Sequence, residues 1–356
     1  METDRPLEIV VFGAGAIGTY VGGSLALRGH RAVFVERPEI AQAIERTGLR
    51  IGTAEGESLS LAPSAFRVVT SPGEALALAP FDVALVALKS FDVPDLIATL
   101  AAARVPDLDL PFLCLSNGVD NEPALARAFG RDRVIAATVT TAVGRRAPGN
   151  VVVERLRGAG IALGHPISER LARAMSGAGL RTRLYRRPAD MKWSKLLTNL
   201  LGNATSAILD MKPAEVFAHP GLYRLEVEQI REALRVMRAS GIGVVNLPRT
   251  PVRLLALGSG LPPALSRPVL ARAVSGGRGG KMPSFHIDLR SGRGRSEVDH
   301  LHGAVVRHGE RAGVPAPVNR LLTETLSALS AREIPLDTYS RNPEKLIAAS
   351  RARRAG

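Results

Sequence analysis

The sequence predicts an α/β protein in which an N-terminal domain built on a parallel sheet precedes an all-α domain. Three observations lead there. The first half carries short, unbroken apolar runs rich in Val, Ile and Leu, the composition of strands buried on both faces. The first such run, Ile9-Val10-Val11-Phe12, opens directly onto Gly13-Ala14-Gly15-Ala16-Ile17-Gly18 and a helical pattern. Beyond Arg186-Arg187-Pro188 the apolar residues change to helical spacing: Trp193, Leu196, Leu197, Leu200, Leu201 and Ala204 share one face. Leu222, Leu225, Ile230, Ala233, Leu234 and Met237 do the same in a second helix.

The opening segment is the most informative. Ile17, Val21, Leu25 and Arg28 mark a helix, Gly29-His30 a turn, and Ala32 to Val35 a second strand. Strand, glycine turn, helix and strand within about thirty residues form the context that gives GxGxxG its meaning. Gly13 permits the tight turn, Gly15 lets the backbone approach a pyrophosphate, and Gly18 lets helix and strand pack closely. The backbone of Gly13, Ala14, Gly15, Ala16, Ile17 and Gly18 is thus the expected seat of a dinucleotide, held by the N–H groups and positive end of the helix. This is the first unit of a Rossmann-type domain. Residues 9 to 27 carry no charge, so a membrane or signal segment competes, as does a glycine turn without a ligand. Five glycines make a poor membrane helix, no basic segment precedes the run, and no small-residue cleavage site follows it.

At 356 residues, with 46% hydrophobic and 22% charged residues, the chain can bury two sizeable cores. The single cysteine, Cys114, lies in an apolar run; it excludes an internal disulfide framework and fits a reducing, cytoplasmic setting. A net charge of +14 raises nucleic acid as a partner, but aromatic residues are only 4% and the arginines are dispersed. The clusters at Arg181 to Arg187, Arg290 to Arg295 and Arg351 to Arg354 read mostly as solvated surface. Neither nucleic acid nor a membrane is expected as a partner, and no metal.

Glu36-Arg37 closes the second strand with a mixed message. An acid there accepts hydrogen bonds from the adenosine ribose and favours NAD, whereas an arginine favours the 2′-phosphate of NADP. A contact from Arg37 to phosphate would be worth roughly 1.5–3 kcal/mol, and a carboxylate facing it would cost a comparable amount. The side chain that points inward decides. Leu49 to Ala62 reads as a hairpin at the sheet edge. The buried strand at Phe81 to Leu88 runs into Lys89-Ser90, and the strand at Phe112 to Leu115 ends in Ser116-Asn117-Gly118. Lys89 and Asn117 therefore come to the rim where ligands bind in such sheets. Val134 to Val139 and Asn150 to Arg155 read as strands joined by the turn Arg145 to Gly149, and Gly160 to Gly164 as another.

In the helical half, Lys195, Asn199 and Asn203 recur every four residues as a polar row along one helix. Asparagine is a poor helix former, so two in a helix body suggest a hydrogen-bonding task. Further on, Lys281 to Leu289 follows the glycine-rich run Gly276 to Gly280. Ser296 can cap the helix carrying Val298, Leu301, Val305 and Ala312, which leaves Glu297 in its first turn as a surface charge complementing the helix dipole.

The order GAGAIG, Val-Ala-Leu-Lys89-Ser90, Ser116-Asn117-Gly118, Lys195-x3-Asn199-x3-Asn203, Pro283-Ser284…Asp288 and Ser296-Glu297-Val-Asp299…Gly303 resembles the ketopantoate (2-dehydropantoate) reductase family, from about residue 8 to residue 325. The resemblance implies an NADPH-binding Rossmann domain, a helical domain, and hydride transfer to a branched 2-oxo acid to give pantoate. It implies Lys195 as general acid and Glu297 as the carboxylate orienting substrate and cofactor. Asn199, Asn203 and Ser284 resemble the substrate-holding groups, Asn117 and Lys89 the rim residues near the cofactor, and Arg37 the 2′-phosphate contact. A positioned cation suits the oxygen on which negative charge develops. The chain also departs from the family. Glu36 stands where an uncharged residue is usual, which admits NAD. His302 replaces the asparagine common before Gly303, and His286 an aliphatic residue. Asp288 to Glu297 is one residue longer, and Leu254 to Gly280 is long and rich in Pro and Gly.

The expected organisation is therefore a dinucleotide-binding domain at 1–187, a helical substrate domain at 188–350 and a basic tail at 351–356, with a surface for a homodimer on the helical domain. Two other readings stay open: a reductase of another 2-oxo acid on this scaffold, and a non-catalytic NADPH-binding regulatory protein.

Overall fold

β1 (Glu8–Phe12) is buried on both faces. Ile9 and Val11 enter a core shared with Tyr20, Val21 and Leu25 of α1 (Ala16–Ala26), while Val10 and Phe12 enter a second core on the other face. Strict alternation inside an all-apolar run is what a central parallel strand requires. This computed structural model describes residues 5–53, 55–78, 80–103, 109–267, 281–292 and 294–355.

The main sheet has the strand order β12 (Thr182–Tyr185), β11 (Ala159–Ala162), β8 (Val134–Val139), β7 (Phe112–Cys114), β6 (Val83–Val86), β1, β2 (Arg31–Val35), β5 (Arg67–Val69). From β8 to β5 every pairing is parallel, and β11 meets β8 antiparallel. The chain steps from β1 to β2 and β5 on one side, then returns to β6 and continues to β7 and β8 on the other. That reversal between β1 and β6 makes the crevice beyond their C-terminal ends the place where a doubly wound sheet binds ligands. α2 (Pro38–Thr47), α3 (Pro72–Leu76), α4 (Val93–Ala102), α5 (Asn121–Phe129) and α6 (Ser168–Gly177) complete this part.

Two expectations for the strands are corrected. Leu49 to Ala62 does form a hairpin, of β3 (Leu49–Thr53) and β4 (Ser58–Leu61), but it is not the edge of the main sheet. It belongs to a second sheet, β4-β3-β10-β9, because Leu49, Ile51, Leu61 and Val151 bury in the core that lies against α1. Nor does the turn at Arg145 to Gly149 join β8 to β10 (Asn150–Arg155). It joins β10 to an intervening strand, β9 (Ala142–Ala147), whose exposed Arg145 and Arg146 hide it from an apolar pattern.

The chain divides into two units, Met1–Lys192 with Leu247–Thr250, and Trp193–Asn246 with Pro251–Gly356. The division falls inside α7 (Pro188–Leu200), which begins directly after Arg186-Arg187. The second unit is helical: α8 (Ala204–Leu209), α9 (Pro213–Ala218), α10 (Pro220–Ala239), α11 (Val252–Gly260), α12 (Ser284–Arg290), α13 (Val298–Arg311), α14 (Pro317–Ser330) and α15 (Pro343–Ala355). The expected basic tail is not separate, since residues 351–355 continue α15. The run Gly276 to Gly280 lies outside the described residues. Among the described residues, no helix is long and apolar enough to cross a membrane.

Candidate active site

The glycine turn is built as the spacing requires. Gly13 sits at φ +96, a conformation costly for any residue with a Cβ, and donates its N–H to Val35 O at 3.0 Å. A Cβ on Gly18 would fall 1.8 Å from Gly13 O, so the first turn of α1 rests directly on the strand end. A Cβ on Gly15 would meet nothing within 4 Å. Gly15 precedes Ala16 and Ile17 at the start of α1, where no side chain caps the helix. Open space over uncapped N–H groups at the positive end of a helix fits a pyrophosphate. Thr19 closes the turn from behind by donating to Ala14 O at 2.9 Å.

At the end of β2 the inward side chain is Glu36. Ala14 N–H donates to Glu36 Oε2 at 2.8 Å and Arg37 N–H to Glu36 Oε1 at 3.1 Å. The Glu36 side chain is 12% exposed against 65% for Arg37, whose Nε stands 3.7 Å from Glu36 Oε1. The expected 2′-phosphate contact, Arg37, thus lies outward, because the β2–β5 ladder continues through Glu36 N–H to Val69 O and the chain then turns into α2 at Pro38.

Lys89 follows β6 and is half-buried. Asn117, also half-buried, follows β7, and its carbonyl accepts from Ser90 Oγ at 2.7 Å and from the Asn121 amide. Beneath this rim lies a residue the sequence reading missed. Lys192, in the first half of α7, is fully enclosed and donates to Ser116 O at 2.7 Å and Ala137 O at 3.1 Å, with Glu122 Oε1 at 2.6 Å. Burial works against the Lys192 charge, but Glu122 more than offsets it and holds the ammonium above the usual lysine range. Cys114 beside it is a core thiol whose pKa is pushed far up by burial and by Glu122.

The helical unit carries the remaining candidates. Lys195 and Asn199 are half-buried one turn apart on α7. Asn203 does not continue their row as expected, because α7 ends at Leu200 and Gly202 turns the chain at φ +59. Asn203 instead precedes α8 and is 4% exposed. Its amide donates to Asn199 O at 3.2 Å and reaches Ser284 Oγ at 3.5 Å, and its Oδ1 accepts Phe285 N–H at 3.1 Å. Both ends of the Asn203 carboxamide are therefore spent joining the end of α7 to the start of α12. The clasp thus links the Asn199 carbonyl at the end of α7 to the hydroxyl of the exposed Ser284. His286, two residues after Ser284, pairs with Asp210 Oδ1 at 2.8 Å, and Arg290 donates to Asp210 Oδ2 at 2.7 Å. Partial burial opposes the Asp210 charge, yet these two neighbours hold its carboxyl below the usual range.

Behind the clasp runs a buried polar network. Glu226 accepts from Gly202 N–H at 2.7 Å, from Gln229 Nε2 at 2.7 Å and from Thr205 Oγ1. Gln229 Oε1 meets His302 Nε2 at 2.9 Å. Glu232 accepts Val318 N–H at 2.8 Å and Asn319 N–H at 2.9 Å, capping α14 from within the core, and burial pushes its carboxyl up. The only signal in sequence was three polar residues, Glu226, Gln229 and Glu232, at helical spacing beside an apolar face. Glu297 is also not the surface charge its local sequence suggested. It is the N-cap residue of α13 and 2% exposed, while Ser296 Oγ accepts Val298 N–H at 3.2 Å. Among the described residues no cluster of His, Cys, Asp and Glu is arranged to hold a metal.

Comparison with known proteins sets this geometry in context. The family model described as ketopantoate reductase PanE/ApbA matches residues 9–165, and that of its C-terminal domain matches residues 189–330. A 2-dehydropantoate 2-reductase of Halobacterium salinarum is 29% identical over 333 residues, which cover 89% of this chain and 97% of that protein. A PanE/ApbA family ketopantoate reductase from Ralstonia eutropha JMP134 has a TM-score of 0.77 at 27% identity, covering 92% of this chain and 99% of that one. D-mandelate dehydrogenase with NADH and anilino(oxo)acetate is 20% identical and shares the fold with a TM-score of 0.73, over 92% of this chain and 99% of its own.

Proposed function

Because the chain belongs to the ketopantoate reductase PanE/ApbA family, we propose that it reduces 2-dehydropantoate to pantoate with a nicotinamide dinucleotide as donor. It is an oxidoreductase of the 2-dehydropantoate 2-reductase class. The observation that carries the substrate half of this reading is the Asn203 clasp, which ties Ser284 to the end of the helix that bears Lys195 and Asn199.

When bound, the dinucleotide supplies the hydride. The chain's own residues then have separate tasks. Gly13 to Gly18 offer backbone N–H groups and open space to the pyrophosphate. Lys89 and Asn117 offer donors at the strand ends, where the ribose of the nicotinamide half would lie. Lys195 holds a positive charge and a proton for the carbonyl oxygen that becomes a hydroxyl, a task worth typically ~10²–10⁴-fold in rate. Asn199 and Ser284 hold the polar groups of the substrate, Asn203 fixes those two, and Glu297 orients substrate and cofactor from the start of α13. NADPH is the donor that the family resemblance implies.

Steady-state turnover of 2-dehydropantoate with either reduced dinucleotide tests the reading. Lys195→Ala should lose roughly 10²-fold or more of kcat while still binding the cofactor. Near-normal kcat in that variant would remove Lys195 from its role.

A second reading keeps the scaffold and changes the acid. It is favoured by the substrate-domain departures and by the shared fold of D-mandelate dehydrogenase with anilino(oxo)acetate. Against it, His302 is fully buried on Gln229, so that departure is a matter of core packing. Poor turnover of 2-dehydropantoate beside rapid turnover of another 2-oxo acid would select this second reading.

A further inference from the structure

We propose that Glu36 makes this chain prefer NADH to NADPH; the inference rests on the reading that the Gly13–Gly18 turn binds a nicotinamide dinucleotide. The carboxylate is held at the turn itself. Its Oε2 takes the N–H of Ala14, inside the glycine motif, and its Oε1 takes the N–H of Arg37. Two backbone donors fix a side chain that is only 12% exposed. This is the position, at the end of the second strand, from which an acid reaches the adenosine ribose. Each carboxylate oxygen has a second acceptor site left for the ribose 2′- and 3′-hydroxyls.

A 2′-phosphate would bring a dianion to the same point. Little water reaches Glu36 to screen the repulsion, and turning the carboxylate away would strip Ala14 N–H of its acceptor. Arg37 is the natural counter-charge, but its side chain is 65% exposed and lies outward, with Nε 3.7 Å from Glu36 Oε1. The next charged residue along α2 is Glu39, an acid in the first turn of that helix. The balance at the ribose end is set by the inward acid.

The test is calorimetric titration of the whole protein, without substrate, with NADH and with NADPH, for the wild type, Glu36→Gln and Arg37→Ala. Glutamine keeps an acceptor for Ala14 N–H and removes the charge. The wild type should bind NADH at least about tenfold tighter. Glu36→Gln should narrow that ratio by about tenfold, chiefly through tighter NADPH binding, and Arg37→Ala should change NADH affinity less than about threefold. Tighter binding of NADPH by the wild type, or an unchanged ratio in Glu36→Gln, overturns the preference and leaves the dinucleotide reading standing. Binding of neither dinucleotide overturns both.

Discussion

Glu226 accepts the backbone N–H of Gly202 at 2.7 Å, so a carboxylate in the core of the helical unit holds the point at which α7 stops. The break is what sends Asn203 out of the Lys195–Asn199 row and into its clasp on Ser284 and Phe285. Glu226→Gln places an amide among three donors. It should cost roughly 1–3 kcal/mol of stability, the penalty of leaving buried polar groups unmatched. Because the clasp is loosened, KM for the oxo acid should also rise while dinucleotide affinity stays unchanged. Urea unfolding and steady-state kinetics measure the two effects, and a variant with normal stability and KM would show that the break holds itself.

Asn203 offers a sharper test of the same arrangement. Asn203→Ala removes the acceptor for Phe285 N–H and should lower stability by about 1 kcal/mol, the usual worth of a helix cap. Asn203→Asp keeps that acceptor and sets a carboxylate against Asn199 O, so it should retain the cap and lose the tie to α7. If both variants bind substrate as the wild type does, the clasp does not position Asn199 and Ser284.

Two glycines of the turn should respond in opposite ways to alanine. At Gly18 the added methyl would fall 1.8 Å from Gly13 O, and Gly18→Ala should unfold the turn and lower the thermal midpoint by several degrees. At Gly15 the methyl meets no protein atom, so Gly15→Ala should keep its thermal midpoint. It should still lose about tenfold or more in dinucleotide affinity, because the methyl stands where the pyrophosphate approaches. Unchanged affinity in Gly15→Ala would place the phosphates elsewhere.

Acid should weaken the fold through His302. Burial depresses its pKa from 6.5 to about 3, so the unfolded chain takes up a proton that the folded chain refuses. Stability from this residue is complete above about pH 6.5 and is lost as the pH falls toward 3, amounting to roughly 2 kcal/mol by pH 5. His30 and His165 are depressed by burial as well and act in the same sense. Denaturation of wild type and His302→Asn between pH 7.5 and 5 separates the contributions. The variant should show the shallower slope, and parallel slopes would assign the loss to other groups.

Cys114 should be inert. Burial and the Glu122 charge push its thiol far above neutral, so a thiol-specific reagent at pH 8 should modify it only after unfolding. Rapid labelling of the folded protein would mean that the β7 core opens readily.

The sequence was most transparent where one local pattern had a single structural outcome. Ile9 to Arg37 needed only an apolar run, three glycines and a helical period, and each element formed where that pattern placed it. β9 escaped notice because Arg145 and Arg146 face solvent and leave no apolar alternation. The row Lys195, Asn199, Asn203 looked continuous because a spacing of four suits a helix; a left-handed Gly202 held by a distant carboxylate interrupts it. Glu226, Gln229 and Glu232 are buried against their type through partners far away in sequence, and Glu297 is buried as well. Which of Glu36 and Arg37 turns inward was likewise settled by Ala14 N–H, a partner no spacing rule names.

Gln229 stands between the Glu226 carboxyl and a ring that can either donate or accept. With its Nε2 committed to Glu226, its oxygen must face His302, so the amide has one orientation and the imidazole must carry its hydrogen on Nε2. Nδ1 is then a bare lone pair sealed in the interior with no donor opposite it. In a nitrogen-15 spectrum this ring would show one protonated and one unprotonated nitrogen, fixed across the neutral range.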